Sequence, residues 1–93
     1  MSLPFIEQNI KSNIFIREFS SLTDSIEFAW HRDKEDRIVE SIENTDWEIQ
    51  IDNQLPQSLN GKVFIPKETY HRLIKGTGDL QITLIKLESV NEK

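Results

Sequence analysis

The strongest constraint on the fold is an alternation of apolar and polar residues that recurs in short segments along the chain. It is clearest in WEIQID at 47–52, where Trp47, Ile49 and Ile51 point to one side and polar residues to the other. A period of two residues indicates a β-strand with one buried face. Further segments rich in Ile, Val, Leu, Phe and Trp are also predicted to be strands. They are NIFIREF (13–19), IEFAWHR (26–32), RIVESIE (37–43), KVFIP (62–66), TYHRLI (69–74) and LQITLIKL (80–87).

Turn-forming residues separate the predicted strands. The segments ENTD (43–46), NQLPQSLNG (53–61) and KGTGD (75–79) are rich in Asn, Asp, Pro and Gly, which favour turns. About seven short strands at even spacing predict an all-β fold, either an antiparallel sandwich or a jelly-roll barrel. One short helix is the alternative for SLTDSIEF at 21–28, where Ser21 or Thr23 would serve as the cap.

The length of the chain sets the number of domains. With 93 residues it is long enough for one small domain. We expect this domain to cover residues 12–88, with tails at 1–11 and 89–93. A domain of this size buries a thin core, which self-association would extend. The sequence therefore predicts a homodimer.

Charge and composition restrict the partners and the compartment. The formal net charge is −5, and an acidic surface repels phosphate backbones, so no nucleic-acid partner is expected. The chain has no run of 18 apolar residues and no signal peptide pattern, so no membrane partner is expected. Cysteine is absent, which excludes disulfides and thiol catalysis and fits a reducing compartment. The expected location is the cytoplasm.

The histidines suggest where chemistry could occur. The chain has only two, His31 and His71, and each is followed by an arginine. The segment HRDKEDRIVESIEN at 31–44 begins with the first of them, and GKVFIPKETYHRL at 61–73 contains the second. Together these segments resemble the two sequence motifs of the cupin superfamily, and the resemblance covers residues 31–74.

In the first motif, the resemblance gives three residues the positions of metal ligands. His31 takes the first histidine position, and Asp33 takes the second, where a carboxylate can also bind a metal. Arg37 falls where the family has a metal-binding glutamate, counted back from Asn44 at the glycine position.

In the second motif, most of the pattern is present. Gly61 and Pro66 match, with one residue fewer between them than the family has. Glu68 replaces the inner glycine, His71 keeps the histidine position, and Lys75 replaces the final asparagine. The resemblance implies a cupin-like jelly-roll β-barrel, also called a double-stranded β-helix, that binds a small-molecule ligand inside.

Three interpretations of the site residues remain open. In the first, His31, Asp33 and His71 bind a divalent metal such as Fe, Mn, Ni or Zn, since two histidines and a carboxylate form a known ligand set. Arg37 opposes this, because a permanent cation repels a metal ion. In the second, Arg37 and both histidines form an anion-binding pocket without a metal. In the third, Asp33 and Arg37 form a buried pair and the histidines are hydrogen-bonded in the core.

The functional prediction is a small cupin that binds a small molecule in the barrel, with a divalent metal as one of the open interpretations of its site. Gln50, on the polar face of its strand, is a further candidate ligand-binding residue at the mouth of the barrel. If the chain is an enzyme, the resemblance allows an oxygenase, an isomerase or a lyase, and the sequence does not choose among them. The alternative is a non-catalytic binding or interaction module with a degenerate metal site.

Overall fold

Short β-strands are the main regular elements of the structure, which is a computed structural model and describes residues 5–87. One 3-10 turn at Ile26–Phe28 interrupts them. The strands are β1 (Ile6–Lys11), β2 (Ile14–Phe19), β3 (Asp36–Ser41), β4 (Glu48–Ile51), β5 (Gln57–Ser58), β6 (Val63–Ile65), β7 (His71–Ile74) and β8 (Leu80–Leu87). No helix in this part of the chain has the length and apolar character needed to cross a bilayer.

The strands form two antiparallel sheets. One has five strands in the order β1-β2-β8-β3-β6, and the other has three in the order β5-β4-β7. The all-β fold class is confirmed, with an arrangement of the jelly-roll type. The two sheets do not close into a barrel, so the jelly roll takes the form of a two-sheet sandwich.

The core lies between the two sheets and is built from their alternating inward residues. On β4, Ile49 and Ile51 are buried as the sequence predicted, and Trp47 just before it is fully buried. The five-stranded sheet contributes residues such as Phe19 and Leu84 to the same core. The indole N–H of Trp47 donates to the carbonyl of Gly78 at 3.1 Å, which satisfies its polar atom.

The predicted strand at 26–32 is wrong. Ser25 caps a 3-10 turn there, since its hydroxyl accepts a hydrogen bond from the backbone N–H of Glu27 at 3.1 Å. Phe28 packs against the core, whereas Trp30 is 44% exposed. Of this segment only His31 pairs with another strand.

The sequence also missed the first strand. Residues 6–11 were assigned to a tail, but they form β1 and pair with β2. Every residue of β1 is exposed, so the segment lacks the apolar run that would have predicted a strand. Residue 88 and the predicted tail at 89–93 lie outside the described residues.

A tight turn at 66–68 joins β6 to β7 and holds the segment that precedes β3. The backbone N–H of Glu68 donates to the carbonyl of Asp33 at 2.7 Å, and that of Lys67 donates to Oδ1 of Asp36 at 2.7 Å. Glu68 has a φ of 58°, in the left-handed region that favours glycine. This is the position at which the resemblance places the inner glycine of the second motif.

We predict that Glu68→Gly stabilises the protein by about 0.5–1 kcal/mol, because it removes the steric cost of a side chain at positive φ. Glu68→Ala is the matched control, since both variants lose the exposed ion pair with Arg32 but alanine keeps the strain. Urea unfolding of the three proteins measures the difference. A glycine variant no more stable than the alanine variant would contradict the assigned conformation.

Candidate metal centre

The two histidines meet although they lie 40 positions apart in the sequence. They form an antiparallel bridge in which the N–H of His31 donates to the carbonyl of His71 at 3.0 Å and the reverse bond measures 2.8 Å. The ring centroids are 4.3 Å apart in an edge-to-face arrangement. The backbone therefore fixes both rings side by side.

The residues on either side of the bridge repeat the same pattern. Each histidine follows an aromatic residue and precedes an arginine, and antiparallel pairing sets each arginine opposite the other strand's aromatic residue. The guanidinium of Arg72 lies 4.9 Å from the centroid of the Trp30 ring, and that of Arg32 lies 5.3 Å from Tyr70. Since Trp30 and Tyr70 are exposed and His71 is buried, these stacks lie on the outer side of the bridge.

Backbone carbonyls orient both imidazole rings. Nδ1 of His31 lies 2.8 Å from the carbonyl of Ala29, and Nδ1 of His71 lies 2.9 Å from the carbonyl of Thr69. A carbonyl only accepts hydrogen bonds, so each Nδ1 carries the proton and each neutral ring keeps the lone pair of Nε2. This is the tautomer in which Nε2 can bind a metal.

Carboxylates approach both Nε2 atoms. Oδ2 of Asp33 lies 3.1 Å from Nε2 of His71, and Oε1 of Glu27 lies 2.9 Å from Nε2 of His31. Nε2 of His31 and Oδ2 of Asp33 are nevertheless buried without a correctly aligned hydrogen bond among the described residues. Buried polar atoms normally have partners. Here Nε2 of His31 has only the Glu27 carboxylate beside it, and Oδ2 of Asp33 has His71 and Arg37, so a metal ion would replace or rearrange these ionic contacts.

His31, Asp33 and His71 form a group that could hold a metal ion. Their ligand atoms all lie within 4.8 Å of one another. Adjacent ligands of one tetrahedral ion with bonds of about 2.1 Å lie about 3.4 Å apart. The ligand atoms would need to close by at most about 1.4 Å, which small side-chain rotations supply, so the donor set fits a divalent metal.

Comparison with known structures identifies the fold. The chain is similar to the DMSP lyase DddQ from Ruegeria pomeroyi DSS-3, with a TM-score of 0.66 and 10% identity over 84% of this chain and 39% of that one. It is also similar to a cupin domain from Bordetella pertussis Tohama I, with a TM-score of 0.57 and 13% identity over 96% and 99% of the two chains. The chain has the cupin fold.

A third cupin-fold match is a mannose-6-phosphate isomerase-like protein from Ralstonia eutropha JMP134, with a TM-score of 0.63, 13% identity and coverage of 91% and 83%. At such identities the likeness shows the fold alone. The chain spans well under half the length of the DMSP lyase. No family model and no curated protein matches the sequence.

Arg37, which the resemblance places at the glutamate position of the first motif, lies beside the group. Its NH1 is 3.3 Å from Oδ2 of Asp33, and its Nε donates to Oε2 of Glu35 at 2.6 Å. This agrees with the predicted buried pair of Asp33 and Arg37. Because two carboxylates already surround the guanidinium, Arg37 is poorly available to an external anion.

The charges around the group favour a cation overall. Four carboxylates face two guanidinium groups, which leaves a formal charge of −2 when both histidines are neutral. A divalent ion balances this charge, so the repulsion expected from Arg37 is offset by its neighbours. The groups are Glu7, Glu27, Asp33 and Glu35, with Arg17 and Arg37.

A small cavity lies between the sheets next to the group. Its polar wall includes His71, Glu27 and Arg37, and its apolar wall includes Ile49 and Leu84. The space open to the centre of a water molecule is about 20 Å³, which is room for about one water. The cavity therefore has room for about one water-sized group beside His71.

Two residues differ from the sequence-based site. Gln50 does not join the group, because its Oε1 accepts hydrogen bonds from Nε and NH2 of Arg72 at 3.1 and 2.9 Å on the outer face of β4. Glu27 was missed, because the segment around it was predicted as a strand. Its position four residues before His31 was the available signal, since a short turn between the two residues brings their side chains into contact.

Contacts within the group shift several pKa values. Burial raises the pKa of Glu27, but the close contact with His31 and the charge of Arg17 bring it below the ordinary 4.5. Burial likewise raises the pKa of Asp33, but His71 and Arg37 bring it below 3.8. Burial lowers the pKa of His31, but Glu27 and the Ala29 carbonyl raise it above 6.5.

These shifts predict how the stability of the metal-free protein depends on pH. The His31 contribution is complete below pH 6.5 and is lost as pH rises through the raised folded-state pKa. The Glu27 and Asp33 contributions are complete above pH 4.5 and are lost as pH falls through the lowered pKa values. Urea unfolding in the presence of a chelator should therefore give the largest free energy of unfolding between pH 4.5 and 6.5.

His31→Gln is the control for this profile. The variant should lose the decline on the alkaline side and keep most of the decline on the acid side, which Asp33 still provides. If the free energy of unfolding of the variant still declined on the alkaline side as in the wild-type protein, the role given to His31 would be contradicted.

Proposed function

We propose that this chain is a small metal-binding cupin that holds one divalent ion on His31, Asp33 and His71 and binds a small molecule beside it. The observation that carries the proposal is the convergence of two Nε2 lone pairs and a carboxylate oxygen. Two of these atoms, Nε2 of His31 and Oδ2 of Asp33, are buried and lack aligned hydrogen bonds. Nitrogen and oxygen ligands of this kind suit Fe, Mn, Ni and Zn.

The residues around the group have distinct roles in the proposal. His31 and His71 are held in their ligand tautomer by backbone carbonyls, so little reorganisation is needed on binding. Arg37 keeps Asp33 ionised and oriented through its guanidinium. A bound divalent ion would supply Lewis-acid polarisation of an oxygen atom on the small molecule.

The proposed ligand is a small molecule that places one donor atom in the interior. The cavity beside His71 has room for one water-sized group, so the rest of the ligand would lie outside it. Two of the similar structures, a DMSP lyase and a mannose-6-phosphate isomerase-like protein, carry the names of small-molecule substrates. These names support the ligand class and leave the reaction open.

A homodimer in the cytoplasm is part of the same proposal. Apolar residues lie in one register across the outer face of the five-stranded sheet, and such a row suits a contact between two copies. The row consists of Ile14, Ile85, Ile38 and Phe64. The absence of cysteine fits the cytoplasm.

The alternative proposal is a non-catalytic binding or interaction module whose metal site has degenerated. The observation that favours it is Arg37, which stands at the glutamate position of the motif and pairs with Asp33 at 3.3 Å. The two proposals differ in metal uptake, so a direct titration separates them.

We predict that tag-free protein binds one equivalent of Zn²⁺ or Mn²⁺ per chain. Saturation at about 100 times the dissociation constant should add about 2.7 kcal/mol to the free energy of unfolding. His71→Ala and Asp33→Asn should lose the binding, whereas Glu48→Gln, a carboxylate on the neighbouring strand outside the group, should keep it. Calorimetric titration measures the binding. If the folded wild-type protein takes up no metal, the metal-binding proposal is refuted and the non-catalytic module is the proposal that remains.

A further inference from the structure

Glu27 stands out because it is a buried carboxylate on a short, well-fixed turn. Ser25 accepts a hydrogen bond from its backbone N–H at 3.1 Å, and the N–H of Ala29 closes the turn on the carbonyl of Ile26 at 3.1 Å. The next residue, Phe28, packs against Trp47 with ring centroids 5.8 Å apart. The turn therefore holds the Glu27 side chain toward the interior with only 17% of it exposed.

The contact between Glu27 and His31 is difficult to explain with neutral histidine alone. Oε1 of Glu27 lies 2.9 Å from Nε2 of His31, but Nδ1 of that ring already carries the proton that donates to Ala29. A lone pair on Nε2 then faces a carboxylate lone pair, which is repulsive unless a cation lies between them. Either a second proton on His31 or a metal ion between the two atoms removes this repulsion.

The distances between neighbouring donor atoms are compatible with a shared ion. Ligands of one ion with bonds of about 2.1 Å lie about 3.0 Å apart at a right angle and about 3.4 Å apart in the tetrahedral geometry of zinc. Oε1 of Glu27 lies 2.9 Å from Nε2 of His31, and Oδ2 of Asp33 lies 3.1 Å from Nε2 of His71. Glu27 is not part of the group whose ligand atoms all lie within 4.8 Å of one another, so its side chain would turn further toward Asp33 and His71 to share their ion.

The charged side chains near the site also single out Glu27 and Asp33. Glu7 pairs with Arg17, and Glu35 pairs with Arg37. Once these two pairs are set aside, the two carboxylates beside the histidines are those of Glu27 and Asp33. Their combined charge of −2 matches that of a divalent ion.

We infer that Glu27 is the fourth protein ligand of the proposed metal and replaces the carboxylate that the motif lost to Arg37. The ligand comes from the 3-10 turn before the first motif rather than from within that motif. This inference rests on the proposed metal-binding function and specifies how the chain retains a full ligand set.

The test compares the metal affinity of Glu27→Gln with that of Glu35→Gln. Both changes remove one carboxylate charge near the group, but the Glu35 carboxylate is held by Arg37 at 2.6 Å and does not approach a histidine. We expect Glu27→Gln to lower the Zn²⁺ affinity at least about tenfold, with the stoichiometry of one retained. Glu35→Gln should lower it less than Glu27→Gln does, because it removes only part of the charge that offsets Arg37 and no atom beside a histidine.

Co²⁺ absorption and a shorter carboxylate supply further readouts. Glu27→Gln should alter the visible spectrum of the Co²⁺-loaded protein, and Glu35→Gln should leave it unchanged. Glu27→Asp keeps the charge but shortens the side chain by one methylene group, which moves the carboxylate oxygens away from His31. If Glu27 is a ligand, this variant should also bind the metal more weakly. It serves as the test if Glu27→Gln fails to fold.

The outcomes separate the two proposals. Wild-type binding that Glu27→Gln and Glu27→Asp leave unchanged would overturn the role of Glu27 and leave the His31, Asp33 and His71 site in place. Equal weakening by Glu27→Gln and Glu35→Gln would reduce its role to general charge and overturn the inference. A wild-type protein that takes up no metal would refute the proposed function itself and the fourth ligand with it.

Discussion

The structure of the site depends on one short antiparallel bridge between His31 and His71. Two backbone hydrogen bonds join these residues. The pleat turns both imidazoles inward and turns Trp30 and Tyr70 outward. Each arginine that follows a histidine stacks on the aromatic residue that precedes the other one. The two strands are thus held together on the outer face at the point where the ligand atoms meet on the inner face.

Charge compensation makes this arrangement compatible with a metal. A guanidinium beside a ligand set would ordinarily exclude a divalent cation. Here Arg37 contacts Asp33 and Glu35, and the acidic groups in and around the site outnumber the basic ones. The arginine at the glutamate position therefore does not by itself mark a degenerate site. It lies within a network that carries enough negative charge to receive the ion.

The sequence predicted a strand correctly where one face of the strand is buried and the other is exposed. The strand around Ile49 and Ile51 was predicted correctly because alternating side chains enter a single core. The segment 26–32 was not, because apolar content alone did not reveal that Ser25 caps a turn. Strand β1 had no buried face and left no pattern.

The candidate site was partly predictable for a related reason. The resemblance to the cupin motifs brought His31, Asp33 and His71 to attention, and the structure places them together. Glu27 was not predictable, because its contact depends on a turn that was read as a strand. The aromatic-His-Arg triplet occurs twice in the sequence. Pairing the two copies in opposite directions would have predicted the bridge without any family resemblance.

The most direct test of this account is the protonation state of both imidazoles, measured by long-range ¹H–¹⁵N NMR on protein with and without Zn²⁺. The account predicts that His31 and His71 carry the proton on Nδ1 in the Zn²⁺-loaded protein and that both Nε2 resonances shift on binding. A ring that stays unchanged, or that binds through Nδ1, would contradict the convergence of the two Nε2 atoms on one ion.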